Sequence, residues 1–214
     1  LSSFLQSYFY FNLLIHRLIQ VDYNSLKVKK QLDYLIMSMV LLKNIELINF
    51  CVYVILFNNF RQESRDKMKN LVLVEMTRNM IDEYVDLYIN TFTKEPWNDV
   101  YESREQVVAF FDNHFNNNYF TGYTAMSDGK AAALSIGFKK PWINGIEYYI
   151  DEFCVDYDMQ GSGIGSWFIN EIEKDIEKKG MNAIMLNTDA DCPARKFYEK
   201  NGFKVLEGLI ILAK

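Results

Sequence analysis

Residues 1–67 contain no glycine, alanine, proline or tryptophan, whereas 68–214 hold all ten glycines, all three prolines and all three tryptophans. Glycine, alanine and proline have the codons richest in G and C. Their absence beside abundant Leu, Ile, Phe, Tyr, Asn and Lys is what translated AT-rich intergenic DNA looks like. The expectation for 1–67 is therefore an over-extended reading frame, helical if ordered, with Met68 of "MKNLVLVEMT" as the natural start. A membrane anchor and a small helical module are the other readings. The longest apolar run, Leu47 to Phe57, has 11 residues, against the 20 or so that a span needs. No signal peptide is evident, since no charged region precedes a small-residue cleavage site.

Cysteine and histidine are scarce. Cys51, Cys154 and Cys192 have no metal-ligand spacing and cannot all pair, which points to a reduced, cytoplasmic protein without a metal. With His16 and His114 the only histidines, a His-rich metal site and a Ser-His-Asp triad are both disfavoured. Positive charge is short after residue 67: the first segment carries 8 Lys/Arg against 5 Asp/Glu, the remainder 15 against 23. That acidic balance disfavours nucleic acid and suits a cationic partner.

What is present in 68–214 is a regular alternation. "LVLVEM" reads as a strand. "RNMIDEYVDLYINTF" follows as a helix with Thr77 as its cap. Pro96 ends that helix, and "SREQVVAFFDNHF" supplies a second. "YFTGYTAM" and "AAALSIGFKK" flank Asp128-Gly129, a hairpin signal, and "IEYYIDEFCVD" is a third long strand. Then come the helix "SWFINEIEKDIEKKG", the strand "AIMLNT" and the helix "CPARKFYEKNG". "FKVLEGLIILAK" reads as one or two closing strands. The order βαα-βββ-α-β-α-β(β) implies an α/β (α+β) domain, a mixed sheet with helices on both faces.

"MQGSGIGSWF" packs Gly161, Gly163 and Gly165 between a strand and a helix. Successive backbone N–H groups there can converge on an anion, and the helix N-terminus adds partial positive charge. No Gly-Lys-Ser/Thr follows, so this is not a P-loop, and the dinucleotide pattern G-x-G-x-x-G is also missed. Gln160-x-x-Gly163-x-Gly165 does match the acyl-CoA signature Q/R-x-x-G-x-G/A. With "DEFCVD" before it and "ARKFYEKNGF" after it, residues 71–214 resemble the GNAT superfamily of acyl-CoA-dependent N-acetyltransferases. "YYIDEFCVDYDMQGSGIG" is similar to the corresponding stretch of aminoglycoside 6′-N-acetyltransferases.

That resemblance implies a mostly antiparallel mixed sheet of six to seven strands, and direct transfer of an acetyl group from acetyl-CoA to a small, cationic primary amine. A protein or peptide N-acetyltransferase and a non-catalytic CoA-binding module are the alternatives. It implies that the backbone of Phe153, Cys154 and Val155 pairs with the pantetheine arm. The turn Gln160, Gly161, Ser162, Gly163, Ile164 and Gly165 would hold the diphosphate, with Ser166 capping the helix. Tyr198 corresponds to the family's general acid toward the CoA sulfur. Asp191 stands where many members carry a CoA-contacting Asn, with Asn187 as the fallback. Asp151 is expected near the substrate amine, holding the ammonium and accepting its proton directly or through water, and is favoured over Glu152 for that role, because alternation in a strand lets only one of the pair face the cleft. Glu95, Trp97 and Asp99 would line the acceptor pocket, with Phe138 and Trp142 narrowing it. Many members pair as homodimers.

Overall fold

The chain divides into Leu1–Asp66 and Lys67–Lys214. The computed structural model describes Leu56, Met68 and residues 70–214; the readings of 1–67 otherwise lie outside the described residues. In chain order the elements are β1 (Leu71–Glu75), a 3-10 turn (Arg78–Met80), α1 (Ile81–Phe92), α2 (Arg104–Phe115), β2 (Phe120–Ser127), β3 (Lys130–Trp142), β4 (Gly145–Val155), a second 3-10 turn (Tyr157–Met159), α3 (Ile164–Lys178), β5 (Ala183–Leu186) and α4 (Pro193–Lys200). No helix among the described residues is long and apolar enough to cross a membrane.

The sheet runs β1-β2-β3-β4-β5. The first four strands are antiparallel neighbours, and β5 lies parallel to β4. The tight turns follow local chemistry. Asp128 and Gly129 have φ of 48° and 79°, the left-handed pair that a two-residue hairpin requires. Ser103 caps α2 by accepting the Gln106 N–H. Thr77 does not cap α1 as expected: its hydroxyl bonds the Asn79 side chain, and a 3-10 turn intervenes before the helix.

Two cores flank the sheet. On one face Tyr84, Tyr88 and Phe92 of α1 and Val107 and Phe111 of α2 pack with Leu134, Ile136 and Cys154. On the other, the α3 stripe Ile164, Phe168, Ile169, Ile172 and Ile176 packs with Tyr123, Ala133, Tyr148 and Ile150. The helical spacing of that stripe is why α3 exists as a helix: burial of its one apolar face stabilises it far more than propensity does.

The described residues carry five strands rather than six to seven. Residues 203–214, expected to close the sheet, form no strand. A turn at Glu207-Gly208, closed by Leu209 N–H to Leu206 O at 3.1 Å, divides them, and Val205, Leu206, Leu209, Ile210, Ile211 and Leu212 are exposed. An apolar β-prone run makes a strand only when a ladder accepts it, and β5 has only four residues to pair with.

The β3–β4 ladder carries one irregularity. Ile136 pairs with Glu152 and Gly137 with Ile150, so Asp151 is an extra residue on β4, a β-bulge. Gly137 opposite it is sterically required: a Cβ there would lie 2.1 Å from the Tyr149 carbonyl oxygen and 2.8 Å from the Tyr148 ring. Overpacking of that severity costs at least about 2 kcal/mol. Gly137→Ala should therefore lower the melting temperature by roughly 4 °C or more, read by thermal unfolding. An unchanged midpoint would mean the register across the bulge is not as described.

Candidate functional site

The site begins where β4 and β5 part. The parallel pairing runs only from Glu147↔Ala183 to Ile150↔Leu186. β4 continues to Val155 with β3 on its other side. Among the described residues, the edge of β4 from Asp151 to Val155 that faces away from β3 is therefore without a strand neighbour. The parting starts at the bulged residue, as expected, because a bulge bends its strand and increases its twist. The exposed ladder positions of Phe153, Cys154 and Val155 can take an extended ligand with amide groups as an added strand.

One turn further on, the chain reaches the three glycines. Gly161 and Gly163 adopt φ of 72° and 97°, left-handed geometry that side chains resist. A Cβ at Gly161 would meet nothing within 4 Å, so that position faces open space. Gly163 is the N-cap of α3, with no side-chain cap. The first helical hydrogen bond in α3 is Trp167 N–H to Gly163 O, at 3.1 Å. The amides of Ile164, Gly165 and Ser166 are thus the open donors of a helix N-terminus, suited to an anion. The expectation that Ser166 caps the helix is corrected: it lies inside the first turn. Gly165 serves a different purpose. A Cβ there would press on the Phe197 ring at 3.0 Å and on Val155 at 3.3 Å, so its bareness lets α3 approach α4 and β4. Gln160 and Ser162 brace the turn: Gln160 Nε2 donates to Val155 O at 3.2 Å and Ser162 Oγ to Met159 O. The Ile164 side chain is buried in the α3 core, leaving only its amide to the turn.

The bulge also decides the carboxylates. Ile150 packs toward α3. Asp151 meets His114 of α2, Nε2 to Oδ2 at 3.2 Å. Glu152 lies beside the Tyr88 hydroxyl of α1. Phe153 turns back to Phe168 and Phe197, with ring centroids 5.4 and 5.6 Å away. Both acids therefore face α1 and α2. The expectation that strand alternation admits only one of them does not hold, because the extra residue resets the alternation between them.

Their environments differ. Burial, against which the nearby Tyr88 hydroxyl works, pushes the Glu152 carboxyl up to about 7, and the charges of Asp151 and Asp99 add to the rise. Asp151 is about half exposed, at 45% of its side chain. Tyr88 and Tyr101, with ring centroids 6.1 Å apart, stand beside Glu152. Burial raises both phenols well above the usual range and keeps them protonated. Tyr101 donates to Asp99 at 3.1 Å. Glu152, Asp99, Tyr88 and Tyr101 thus form one polar group in an aromatic wall to which Phe92, Phe110 and Trp97 belong.

Of the other expected residues, Trp97 packs edge-on against Phe92, with centroids 5.2 Å apart. Glu95 is exposed in the same loop and is not among the charges felt by Glu152. Phe138 stacks on Tyr149 across the ladder at 5.1 Å. Trp142 does not narrow the cleft: it is exposed at the end of the β3–β4 hairpin. Asn187 donates to the Tyr149 hydroxyl, and Asp191 is exposed ahead of α4.

Tyr198 of α4 is buried among Phe153, Phe197 and Phe203. Its hydroxyl makes no hydrogen bond to the described residues. Burial, then the nearby Cys154 and Glu152, raise the phenol and hold its proton. Burial raises the Cys154 thiol strongly, so it stays protonated and is no nucleophile. Burial raises the Cys192 thiol less than hydrogen bonds from Thr188 and the Arg195 and Ala194 amides lower it, and the net shift is downward. That lowering was not visible from the sequence. Nor was the part played by His114. Its only signal was its spacing four residues after Phe110 on the α2 face, and the two rings now meet at 4.6 Å.

Comparisons with known proteins bear on this geometry. The acetyltransferase (GNAT) family matches residues 80–203, more than half of the chain. Among solved structures, the aminoglycoside N-acetyltransferase AAC(6')-Iy in complex with CoA is 15% identical over 68% of this chain and 95% of its own, with a TM-score of 0.54. The aminoglycoside acetyltransferase meta-AAC0020, from an uncultured soil metagenomic sample and in complex with sisomicin, is 18% identical over 68% and 96%, with a TM-score of 0.54. A GNAT family acetyltransferase from Staphylococcus aureus is 12% identical over 68% and 98%, with a TM-score of 0.53. At such identities the likeness is one of fold. No curated protein sequence matches.

Glu152 also gives a stability prediction. Its folded-state value, about 7, is raised above the ordinary value of 4.5. The protonated form therefore favours folding, and that contribution is lost as pH rises from about 4.5 through about 7. Glu152→Gln, uncharged at every pH, should be more stable than the parent at pH 8, by on the order of 2–3 kcal/mol. The gain should shrink toward pH 5. Denaturant unfolding at the two pH values measures it, and a gain that does not depend on pH would place Glu152 in a solvated setting.

Proposed function

The chain belongs to the GNAT acetyltransferase family, and from that premise we propose that it is a cytoplasmic N-acetyltransferase. In this reading it moves an acetyl group from acetyl-CoA directly to a primary amine of a small cationic acceptor. The observation that carries the reading is the parting of β4 from β5 between the uncapped α3 N-terminus and the Glu152 carboxylate. It puts an anion cradle, an open strand edge and a base along one strand.

Acetyl-CoA, when bound, supplies the acetyl group as a thioester. The amides of Ile164, Gly165 and Ser166, with the Gly161–Gly163 turn, are the residues that would hold its diphosphate. The open edge at Phe153, Cys154 and Val155 would pair with its pantetheine arm. A primary ammonium must lose a proton before it can attack. Glu152, with its carboxyl near 7, is matched to accept that proton at neutral pH. Asp99 and the rings of Tyr88, Tyr101 and Trp97 favour a cation beside it, through charge and through their π faces. Tyr198 keeps its proton and can give it to the departing sulfur. Direct transfer fits Cys154, which is held protonated.

The test is release of free thiol from acetyl-CoA against a panel of primary amines, using the full chain. The rate with the best amine should rise with pH through about 7, following loss of the Glu152 proton. Glu152→Gln should lower kcat by about a hundredfold or more and flatten that profile. Tyr198→Phe should lower kcat about tenfold or more while leaving the acetyl-CoA-induced rise in melting temperature intact. Binding of acetyl-CoA with no thiol release on any amine would overturn the reading in favour of a non-catalytic module.

A further inference from the structure

The open edge of β4 has fewer free groups than its length suggests. In an antiparallel ladder, alternate residues exchange both backbone bonds with the partner strand, and the residues between them turn theirs away. Asp156 N–H donates to Ala132 O at 2.9 Å, one step past the pair Val155↔Ala133. Val155 is therefore a residue whose own N–H and C=O point away from β3. Phe153, two positions back and opposite Ser135, is another, while Cys154 between them turns to β3. The edge thus presents four polar groups, the N–H and C=O of Phe153 and of Val155.

One of the four is already filled. Val155 O accepts from Gln160 Nε2 at 3.2 Å and from Thr91 Oγ1 at 3.4 Å. A carbonyl oxygen has two lone pairs, so both are used. Gln160 is an exposed residue of the glycine turn, and Thr91 is fully buried near the end of α1. Neighbouring contacts hold that end of α1 along the same stretch of chain: Asn90 Nδ2 donates to Asp156 Oδ2 at 3.5 Å, and the Lys94 ammonium stands 4.2 Å from the Tyr157 ring centre.

We propose that Thr91 and Gln160 are positioning residues: by filling the Val155 carbonyl they end the added strand there, and so fix the one register in which the pantetheine arm of acetyl-CoA can lie on β4. The proposal rests on the reading of this edge as the acetyl-CoA site. A ligand paired with a strand edge slips in steps of two residues, about 7 Å, because the polar groups repeat with that period. A slip toward Val155 needs its carbonyl as acceptor and finds it filled. A slip the other way meets β5, which pairs with β4 up to Ile150↔Leu186. Either slip would move the thioester by more than twice the roughly 3 Å over which Glu152 can take a proton from the attacking amine.

The test uses the full chain and S-acetylpantetheine, which carries the arm and the thioester without the diphosphate, so that the edge alone sets the register. Thr91→Val removes the hydroxyl and Gln160→Met the amide. In the double variant the freed carbonyl gives the slipped register one more hydrogen bond, worth roughly fivefold in affinity. Binding in an unproductive register lowers kcat and KM together. Both should therefore fall roughly fivefold at saturating amine, with kcat/KM nearly constant. Each single variant keeps one donor and should show little of this, so the two changes are coupled. Thr91→Ser in place of Thr91→Val should restore the parent values. With acetyl-CoA, which the α3 cradle also anchors, the fall should be smaller. A loss of kcat/KM that is equal for both thioesters, with KM unchanged or raised, is a packing defect and overturns the proposal.

Calorimetry with pantetheine itself is a readout without turnover. The double variant should bind it roughly fivefold more tightly than the parent, and Thr91→Ser with Gln160→Met should not. If the tightening appears and no amine is acetylated, the register stop stands and the transferase reading falls. If pantetheine binds the double variant no more tightly than the parent, or binds neither, the proposal falls, and acetylation of any amine then leaves the transferase reading standing without it.

Discussion

Between Ile136 and Gly137 the β3–β4 ladder passes over one residue of β4, and Asp151 is the residue left out. Much of the rest depends on this. The last pair between β4 and β5 is Ile150 with Leu186, immediately before the bulge. A strand bent at that point cannot keep a second neighbour, so the next five residues lose β5 and gain an open edge. The same extra residue turns Asp151 and Glu152 to one face. The structure tolerates it because position 137 has no side chain to meet the Tyr149 carbonyl.

Around that bend the two layers of helix have separate tasks. α1 and α2 bring aromatic rings and phenols down onto the acidic face, and their burial of Glu152 is what lifts its carboxyl to about 7. Desolvation of this kind is unfavourable to the fold while the carboxylate is charged, a trade that recurs where chemistry needs a base at neutral pH. α3 and α4 work on the other face. Their contact through Gly165 and Phe197 sets the helix N-terminus of α3 at the end of the open strand. Five residues of strand edge and one turn of helix amides thus lie in sequence along one side of the sheet. That is the arrangement expected for a ligand that is amide-rich at one end and anionic at the other.

The three glycines show how a motif can be legible while its parts are not. Their spacing marked a strand-turn-helix junction that could bind an anion, and the junction lies between β4 and α3. Only the packing separates their tasks: Gly161 and Gly163 shape the turn through left-handed backbone, whereas Gly165 admits the Phe197 ring. Tyr198 was equally readable as an aromatic of α4. The placement of its hydroxyl close to Cys154 and Glu152 follows from α4 packing against Phe153, which no local pattern records.

The amino-acid sequence by itself determined the alternation of strands and helices, the hairpin at Asp128-Gly129, the buried stripe of α3 and the glycine turn. Each depends on residues within a few positions of one another, where periodicity and backbone preference act directly. What only the tertiary structure decided depends on pairing across the sheet. The bulge is a mismatch between two strands and leaves no mark in either one alone. It overrides the alternation that would have separated Asp151 from Glu152, and it brings His114 from a helix far along the chain to a carboxylate. The same reason explains the closing strands expected over 203–214. Their pattern is that of a strand, but a strand exists only where a neighbour offers a ladder, and the four residues of β5 carry none beyond β4.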